Sequence, residues 1–246
     1  KLTNNESFSE EIVFRNKVNI NIQQKQLRLN EIISLETPAY DLMDASLYFE
    51  PFMKNPFAMI QTARGCPYQC NYCIKSYGYG NKITMRSAEQ IVEELEMLIE
   101  LHKIRSFRFI DDTFTVSKKR VIDICNLMKE KKLNLSWTCL SRTDNIKEDM
   151  LIKMKEAGCK RIYFGVESGS QKMLDFYEKE INVNEALSSL LLTKSHGIET
   201  TGFFMLGLPN ESNQDFNDTV DFAIKSKLSM VAVEGIKLYP GTALFE

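Results

Sequence analysis

From residue 57 onward, short apolar runs alternate with longer amphipathic segments of helical period. Runs of this length that are bounded by polar or turn-forming residues are typical of strands. The pattern predicts strands at Phe57–Ala63, Ser106–Ile110, Leu135–Leu140, Arg161–Val166, Thr200–Leu206 and Met230–Leu238.

The segments between these runs predict helices. Ser87, followed three residues later by Gln90, forms a capping box, and Ile91, Leu95 and Leu98 then recur on one face. Further helices are predicted from Ser117, over Lys147–Ala157, over Val183–His196 and over Ser212–Lys225.

Alternation of strand and helix favours parallel pairing through right-handed crossovers, and hence an α/β fold. Six such strands suit either an open doubly wound sheet or an incomplete barrel, and periodicity does not decide between them. In both arrangements a ligand binds at the carboxyl ends of the strands.

Composition narrows the class of protein. The chain has 246 residues, of which 43% are hydrophobic and 26% charged, as expected for one large globular domain. The formal net charge of −2 gives no basic excess, so no nucleic-acid partner is expected. No apolar run approaches the ~20 residues that span a bilayer, and no membrane partner is expected. The polar first residues lack a signal core, which favours the cytoplasm.

Cys66, Cys70 and Cys73 form a C-x3-C-x2-C run directly after the first predicted strand. Three closely spaced thiolates can hold a cubane iron–sulfur cluster by three of its irons, which leaves the fourth iron open for a ligand. The alternatives are a zinc site with a distant fourth ligand, or three buried structural thiols. Zinc sites usually pair two cysteine arms, and the sequence has no second arm. Both histidines, His102 and His196, fall in helical patterns.

The remaining cysteines are spread over predicted helices and strands. We interpret Cys125, Cys139 and Cys159 as buried packing residues.

Polar residues follow several predicted strands, and each has two interpretations. Asp111 and Asp112 could receive an ammonium group or form an Asx turn. Arg142 offers a planar fork for a carboxylate, or is a solvated surface arginine. Glu167 suits a ribose diol, or is a helix N-terminal acid. The apolar residues 203–209 could lie against an adenine or form an ordinary core strand.

The run from Arg64 to Cys73 resembles the cluster loop of the radical S-adenosylmethionine superfamily, and the likeness covers residues 57–246. The resemblance implies a partial (β/α)6 barrel of parallel strands with outer helices. It also implies a [4Fe–4S] cluster on Cys66, Cys70 and Cys73, whose open iron binds the amino and carboxylate groups of S-adenosylmethionine.

Carried over by position, the resemblance also implies further contacts with S-adenosylmethionine. The sequence departs from the family at the amino-group motif, which often reads Gly-Gly-Glu where this chain has two aspartates. The implied contacts are Tyr72 and the backbone of Phe204, Leu206 and Gly207 at the adenine, Asp111 and Asp112 at the amino group, Arg142 at the carboxylate, and Glu167 at the ribose.

Within the superfamily, the segments 37–43, 111–114, 164–169 and 239–242 are similar to those of the subgroup associated with a cobalamin-binding domain. Residues 1–50 are therefore expected to be a connector from an upstream domain, with a short hairpin over residues 12–22. Residues 51–246 are expected to form the core, cut short at its C-terminus. Cobalamin is a further candidate cofactor, although its domain is absent from the sequence.

The expected function is reductive cleavage of S-adenosylmethionine to a 5′-deoxyadenosyl radical for C–H activation. With cobalamin, the outcome would be methyl transfer or a rearrangement. The resemblance implies an electron donor such as a flavodoxin or ferredoxin. The alternatives are a methylthiotransferase that acts on tRNA or a ribosomal protein, and a non-catalytic module stabilised by zinc.

Overall fold

The computed structural model describes residues 38–42, 44–50, 52–53, 56–74, 81–208 and 210–246. The hairpin expected over residues 12–22 lies outside this range, as do Thr37 and Met43.

Each predicted strand is present, but the last one ends at Gly235 rather than Leu238, the short strand at residues 84–85 was not predicted, and the first prediction is changed most. The first prediction, Phe57–Ala63, is divided, because the chain leaves the main sheet after Ile60 and forms a separate short strand from Ala63. The strands are β1 (Phe57–Ile60), β2 (Ala63–Arg64), β3 (Thr84–Met85), β4 (Ser106–Phe109), β5 (Ser136–Ser141), β6 (Cys159–Glu167), β7 (Glu199–Leu206) and β8 (Met230–Gly235).

The predicted helices are also present, and the capping box of Ser87 and Gln90 is formed. The structure adds α4, a short helix that the hydrophobic pattern does not predict. The helices are α1 (Ala88–His102), α2 (Lys118–Glu130), α3 (Glu148–Glu156), α4 (Gln171–Phe176), α5 (Val183–Ser195) and α6 (Asn213–Lys225).

The order of the strands decides between the two candidate architectures. The main sheet is entirely parallel and runs β1-β4-β5-β6-β7-β8 without a reversal. A doubly wound sheet reverses its order at a switch point. Right-handed crossovers that always advance in one direction place the helices on one face only. The fold is thus a partial (β/α)6 barrel, as the resemblance implies, with β1 and β8 as its open edges.

The core lies between the helices and the outer face of the sheet. Phe109 and Phe114 stack with their ring centres 4.6 Å apart, and both meet Trp137 edge-on. The indole Nε1 of Trp137 donates to the carbonyl of Ala157 over 2.9 Å, so this large buried side chain leaves no polar atom unsatisfied. Cys125, Cys139 and Cys159 are fully buried here, as expected.

An apolar groove remains open on the outer face, between α6 and the strands β7 and β8. It has a volume of about 360 Å³. Val231 and Val233 of β8 are about half exposed along it, at 45% and 55%. None of the helices in the described part of the chain is long and apolar enough to cross a bilayer.

Gly158, between α3 and β6, is a position where only glycine fits. Its φ is +96°, and a β-carbon would lie 2.0 Å from the carbonyl oxygen of Leu135. We expect Gly158→Ala to lower the free energy of unfolding by about 3 kcal/mol, because a left-handed backbone costs about 1–2 kcal/mol and overpacking about 1–3 kcal/mol. Gly235→Ala is the control, since nothing lies within 4 Å of its β-carbon. Urea titration of both variants checks the prediction, and equal stability would contradict it.

Candidate active site

The root of the cysteine loop is fixed by a buried carboxylate. Asp111 Oδ1 accepts hydrogen bonds from the backbone N–H groups of Thr62 (2.6 Å) and Ala63 (2.9 Å). Its Oδ2 accepts from the Thr62 hydroxyl and lies 3.8 Å from Arg120. Burial raises the pKa of Asp111, while the bonds from Thr62 and the charge of Arg120 oppose that rise. The turn from β1 to β2 is therefore locked, and the loop starts from a defined point.

A cavity of about 220 Å³ opens at the carboxyl ends of β5, β6 and β7, under the cysteine loop. It gathers three thiols, two carboxylates, two cations and several aromatic rings. The lining residues are Cys66, Tyr68, Cys70, Tyr72, Cys73, Asp112, Thr113, Leu140, Ser141, Arg142, Tyr163, Gly165, Glu167, Lys179 and Phe203.

All three cysteines of the motif face this cavity, although they are not gathered around one point. Among the described residues, no group of three or more His, Cys, Asp or Glu side chains is arranged to hold a single metal ion. The ligands of a cubane need not converge in that way, because each thiolate bonds a different iron. Three cysteines that line one cavity are the donor set such a cluster requires.

Arg142, after β5, is buried beside the thiols rather than solvated at the surface. It pairs with Asp144 through Nη2 at 2.9 Å, and its Nη1 lies 3.6 Å from the sulfur of Cys70. Its guanidinium lies 3.7 Å from the ring centre of Tyr68. Burial lowers the pKa of Arg142. The hydrogen bond and the charge of Asp144 raise it by more than burial lowers it, so the net shift is upward. A permanent positive charge thus lies against the thiol cluster.

Glu167 enters the cavity because the end of β6 is irregular. The pairing of β6 with β7 shifts between Gly165 and Glu167, and Glu167 has a φ of +69°. Such backbone is rare for a residue with a side chain and persists only where its surroundings hold it. Here the holding contact is Lys179, whose ammonium lies 2.9 Å from Glu167 Oε1. A β-carbon at Gly165 would lie 2.6 Å from that oxygen, so the glycine leaves room for the pair.

Tyr72 closes the cavity from the loop side. Its hydroxyl accepts a hydrogen bond from Lys179 over 3.2 Å, and its ring meets Tyr177 edge-on at 5.4 Å. Burial, reinforced by the carboxylate of Glu167, raises the pKa of Tyr72 well above its ordinary value. The residue therefore remains protonated and presents a neutral ring to the cavity.

The structure does not bring every predicted residue to the cavity. Asp111 is engaged at the loop root, so the expectation that it receives an ammonium group is not supported, whereas Asp112 lines the cavity. Phe204 packs on the outer face against Phe222. Leu206 lines the outer groove. The N–H of Gly207 donates to Glu211 over 2.6 Å.

Sequence reasoning missed Lys179 and Tyr163, and it included Phe203 only within the apolar run 203–209. Lys179 stands in the charged run 178–180, which has the pattern of a solvated turn. It is buried because the chain just after α4 lies against the cysteine loop, where the N–H of Asn71 donates to the carbonyl of Tyr177 over 3.2 Å, and α4 itself was not predicted. Alternation along the strands could have found Tyr163 and Phe203, because each lies two residues from another inward position.

Residues 60–223 match the Radical SAM superfamily. The chain also resembles an uncharacterised methyltransferase of Pyrococcus horikoshii, with 34% identity over 218 residues, which is 89% of this chain and 47% of that protein. The chain belongs to the Radical SAM superfamily, and the family resemblance seen in the sequence is confirmed.

Two further proteins show how wide the likeness is. The anaerobic magnesium-protoporphyrin IX monomethyl ester cyclase of Rubrivivax gelatinosus is 27% identical over 76% of this chain and 34% of that protein. The radical S-adenosylmethionine methyltransferase TsrM from Kitasatospora setae, solved with cobalamin and a [4Fe–4S] cluster, superposes with a TM-score of 0.72. That match has 19% identity and covers 77% of this chain and 38% of TsrM, so it shows a shared fold. The chain spans about half, or less, of each relative.

The buried pair of Lys179 and Glu167 gives a prediction about stability. We expect Lys179→Met to lower the free energy of unfolding by about 3–5 kcal/mol, because it leaves Glu167 buried without its partner. The double variant Lys179→Met/Glu167→Gln should lose less free energy of unfolding than the sum of the losses in the two single variants, because no uncompensated charge remains. Chemical denaturation of the cluster-free protein measures this coupling.

The exposed pair of Lys119 and Asp123 provides the matched control. Lys119→Met should leave stability almost unchanged, because solvent screens an exposed pair. Strict additivity of the Lys179 and Glu167 effects would rule out the coupling.

Proposed function

We propose that this chain holds a [4Fe–4S] cluster on Cys66, Cys70 and Cys73 and binds S-adenosylmethionine beside it. The observation that carries this proposal is the convergence of the three cysteines, the cations Arg142 and Lys179, and the carboxylates of Asp112 and Glu167 on one cavity. When bound, the cluster and S-adenosylmethionine supply a 5′-deoxyadenosyl radical for C–H activation.

The cavity residues bind and orient the ligand. Asp112 offers a carboxylate for the methionine amino group, and Arg142 offers a guanidinium for its carboxylate. Glu167 offers acceptors for the ribose hydroxyls, with Lys179 holding it in place. Tyr72 provides a neutral ring for the adenine. Because these side chains are largely withdrawn from solvent, their charges are weakly screened and fix the ligand in one pose.

We further propose that the complete protein transfers a methyl group, with cobalamin as a second cofactor. The support is the likeness to the methyltransferase of Pyrococcus horikoshii and the fold shared with TsrM. In this proposal residues 1–50 connect an upstream cobalamin domain to the core at 51–246. Methylthio transfer to RNA or a ribosomal protein is the alternative. The zinc module has no support from the family match.

Radical S-adenosylmethionine chemistry requires a one-electron reductant. We propose a flavodoxin or ferredoxin in the cytoplasm for this role.

The cluster assignment is tested by removal of one ligand. After anaerobic reconstitution the protein should hold about four irons per chain. Cys70→Ala should lose the cluster and the formation of 5′-deoxyadenosine. Cys125→Ala, in the packed core, should keep both. Iron, zinc and sulfide analysis checks the outcome, and an intact cluster in Cys70→Ala, or one zinc per chain, would refute the assignment.

The ribose contact is tested by Glu167→Gln, which removes the charge and keeps the shape. Because hydrogen bonds to charged groups contribute about 1.5–3 kcal/mol, we expect the dissociation constant for S-adenosylmethionine to rise by about tenfold or more. Glu199→Gln, at the opposite end of the sheet, should leave it unchanged. Equilibrium dialysis with labelled S-adenosylmethionine measures both, and equal affinities would remove Glu167 from the site.

Methyl transfer is tested by the products of the complete protein with cobalamin. Transfer of the methyl group must convert S-adenosylmethionine to S-adenosylhomocysteine, whereas radical formation gives methionine and 5′-deoxyadenosine. We expect both nucleoside products in liquid chromatography with mass detection. Formation of 5′-deoxyadenosine alone would favour radical chemistry without methyl transfer.

A further inference from the structure

The inner face of the sheet carries an arginine–tyrosine pair at the border of the candidate active site. Arg108 of β4 alternates with Phe107 and Phe109, which are buried under the helices, so it faces the barrel interior. Its Nη2 donates to the hydroxyl of Tyr163 over 2.7 Å, and its guanidinium lies 4.4 Å from the centre of that ring. Tyr163 in turn lines the cavity of the cysteines.

This pair already binds a carboxylate that belongs to the chain itself. Glu50 Oε1 accepts hydrogen bonds from Arg108 Nη2 and from the Tyr163 hydroxyl, the latter over 3.1 Å. Two donors on one carboxylate oxygen form a built site for an acidic group. Glu50 precedes the first strand and lies in residues 48–50, which form neither helix nor strand. Another acid can therefore take its place without disturbing the sheet.

The site contains polar atoms that could form hydrogen bonds and that Glu50 does not use. The Nε of Arg108 is buried and has no hydrogen-bond partner among the described residues. Thr138 of β5 pairs with Arg108 of β4. Its hydroxyl is also buried and has no hydrogen-bond partner among the described residues. Buried polar atoms are generally satisfied in proteins. Beside them the rings of Tyr163 and Phe203 stack 6.0 Å apart and offer a flat apolar wall.

We propose that Arg108 and Tyr163 bind a carboxylate of the substrate, carried on a flat apolar body, in the place of Glu50. The inference rests on the proposed function, because this site borders the cavity assigned to S-adenosylmethionine. The guanidinium holds the acidic group, and the stacked rings hold the body toward the cysteine cavity. Glu50 closes the site when no substrate is present.

The test compares an aromatic acid with its uncharged amide, using the protein with its cluster reconstituted. The probes are 3-phenylpropionate and 3-phenylpropionamide, titrated by calorimetry. We expect the acid to bind at least about tenfold more tightly, because only it forms charge-assisted hydrogen bonds. Glu50→Gln should tighten binding of the acid by about tenfold, because the competing carboxylate is gone. Arg108→Gln should remove the preference for the acid.

Arg105→Gln is the control. Arg105 lies just before β4, is exposed, and donates to the carbonyl of Leu133, away from Tyr163 and Glu50. This variant should leave the affinity for the acid unchanged. The comparison of acid and amide needs no variant, so it stands even where a substitution impairs folding.

Equal affinity for acid and amide, or no gain from Glu50→Gln, would reduce the Arg108–Glu50 pair to a tether for the residues before β1. Cleavage of S-adenosylmethionine is measured separately on the unaltered protein. A protein that prefers the acid and does not cleave S-adenosylmethionine would refute the proposed function alone. A protein that cleaves it and binds both probes equally would refute this inference alone.

Discussion

The hydrogen bonds of Asp111 to the turn after β1 are the constraint on which the site depends. One buried carboxylate binds two consecutive backbone N–H groups and the hydroxyl of Thr62, while Arg120 compensates its charge. The cysteine loop begins a few residues later, so its position relative to the strand ends follows from these contacts. Asp112 faces the cavity instead. Two adjacent carboxylates thus have separate tasks, one in the fold and one at the site.

Much of the fold could be predicted from the sequence because it follows from the local periodicity of apolar residues. Apolar runs of strand length and capped amphipathic helices each depend on a few neighbouring residues, and the structure confirms them. The choice between a doubly wound sheet and a partial barrel could not be made in this way. It depends on whether successive crossovers keep one direction, which is a property of the whole sheet and not of any segment. The division of the first strand at Ile60 has a similar cause, since its second part pairs with the distant residues Thr84 and Met85.

The site shows the same limit at the level of single residues. The three cysteines form a local motif, Arg142 directly follows β5, and Glu167 is the last residue of β6. Sequence reasoning could therefore select them as candidates, and all of them line the cavity. Contact of the adenine with the backbone of Phe204, Leu206 and Gly207 stays a prediction. The side chain of β7 that lines the cavity is Phe203, because neighbouring side chains on a strand point to opposite faces. On β6, the irregular pairing between Gly165 and Glu167 also changes which face the following side chains point to. No residue's strand propensity indicates this bulge. Lys179 reaches the site only through the path of α4.

The open groove beside β8 has a practical consequence for work on this chain. Val231, Val233 and Ile224 expose apolar surface beside a strand whose outer edge has no neighbour in the described part of the sheet. Unpaired strand edges and exposed apolar patches of this kind promote association between molecules. The purified protein should therefore aggregate as its concentration rises, and mild detergent or glycerol should reduce this aggregation.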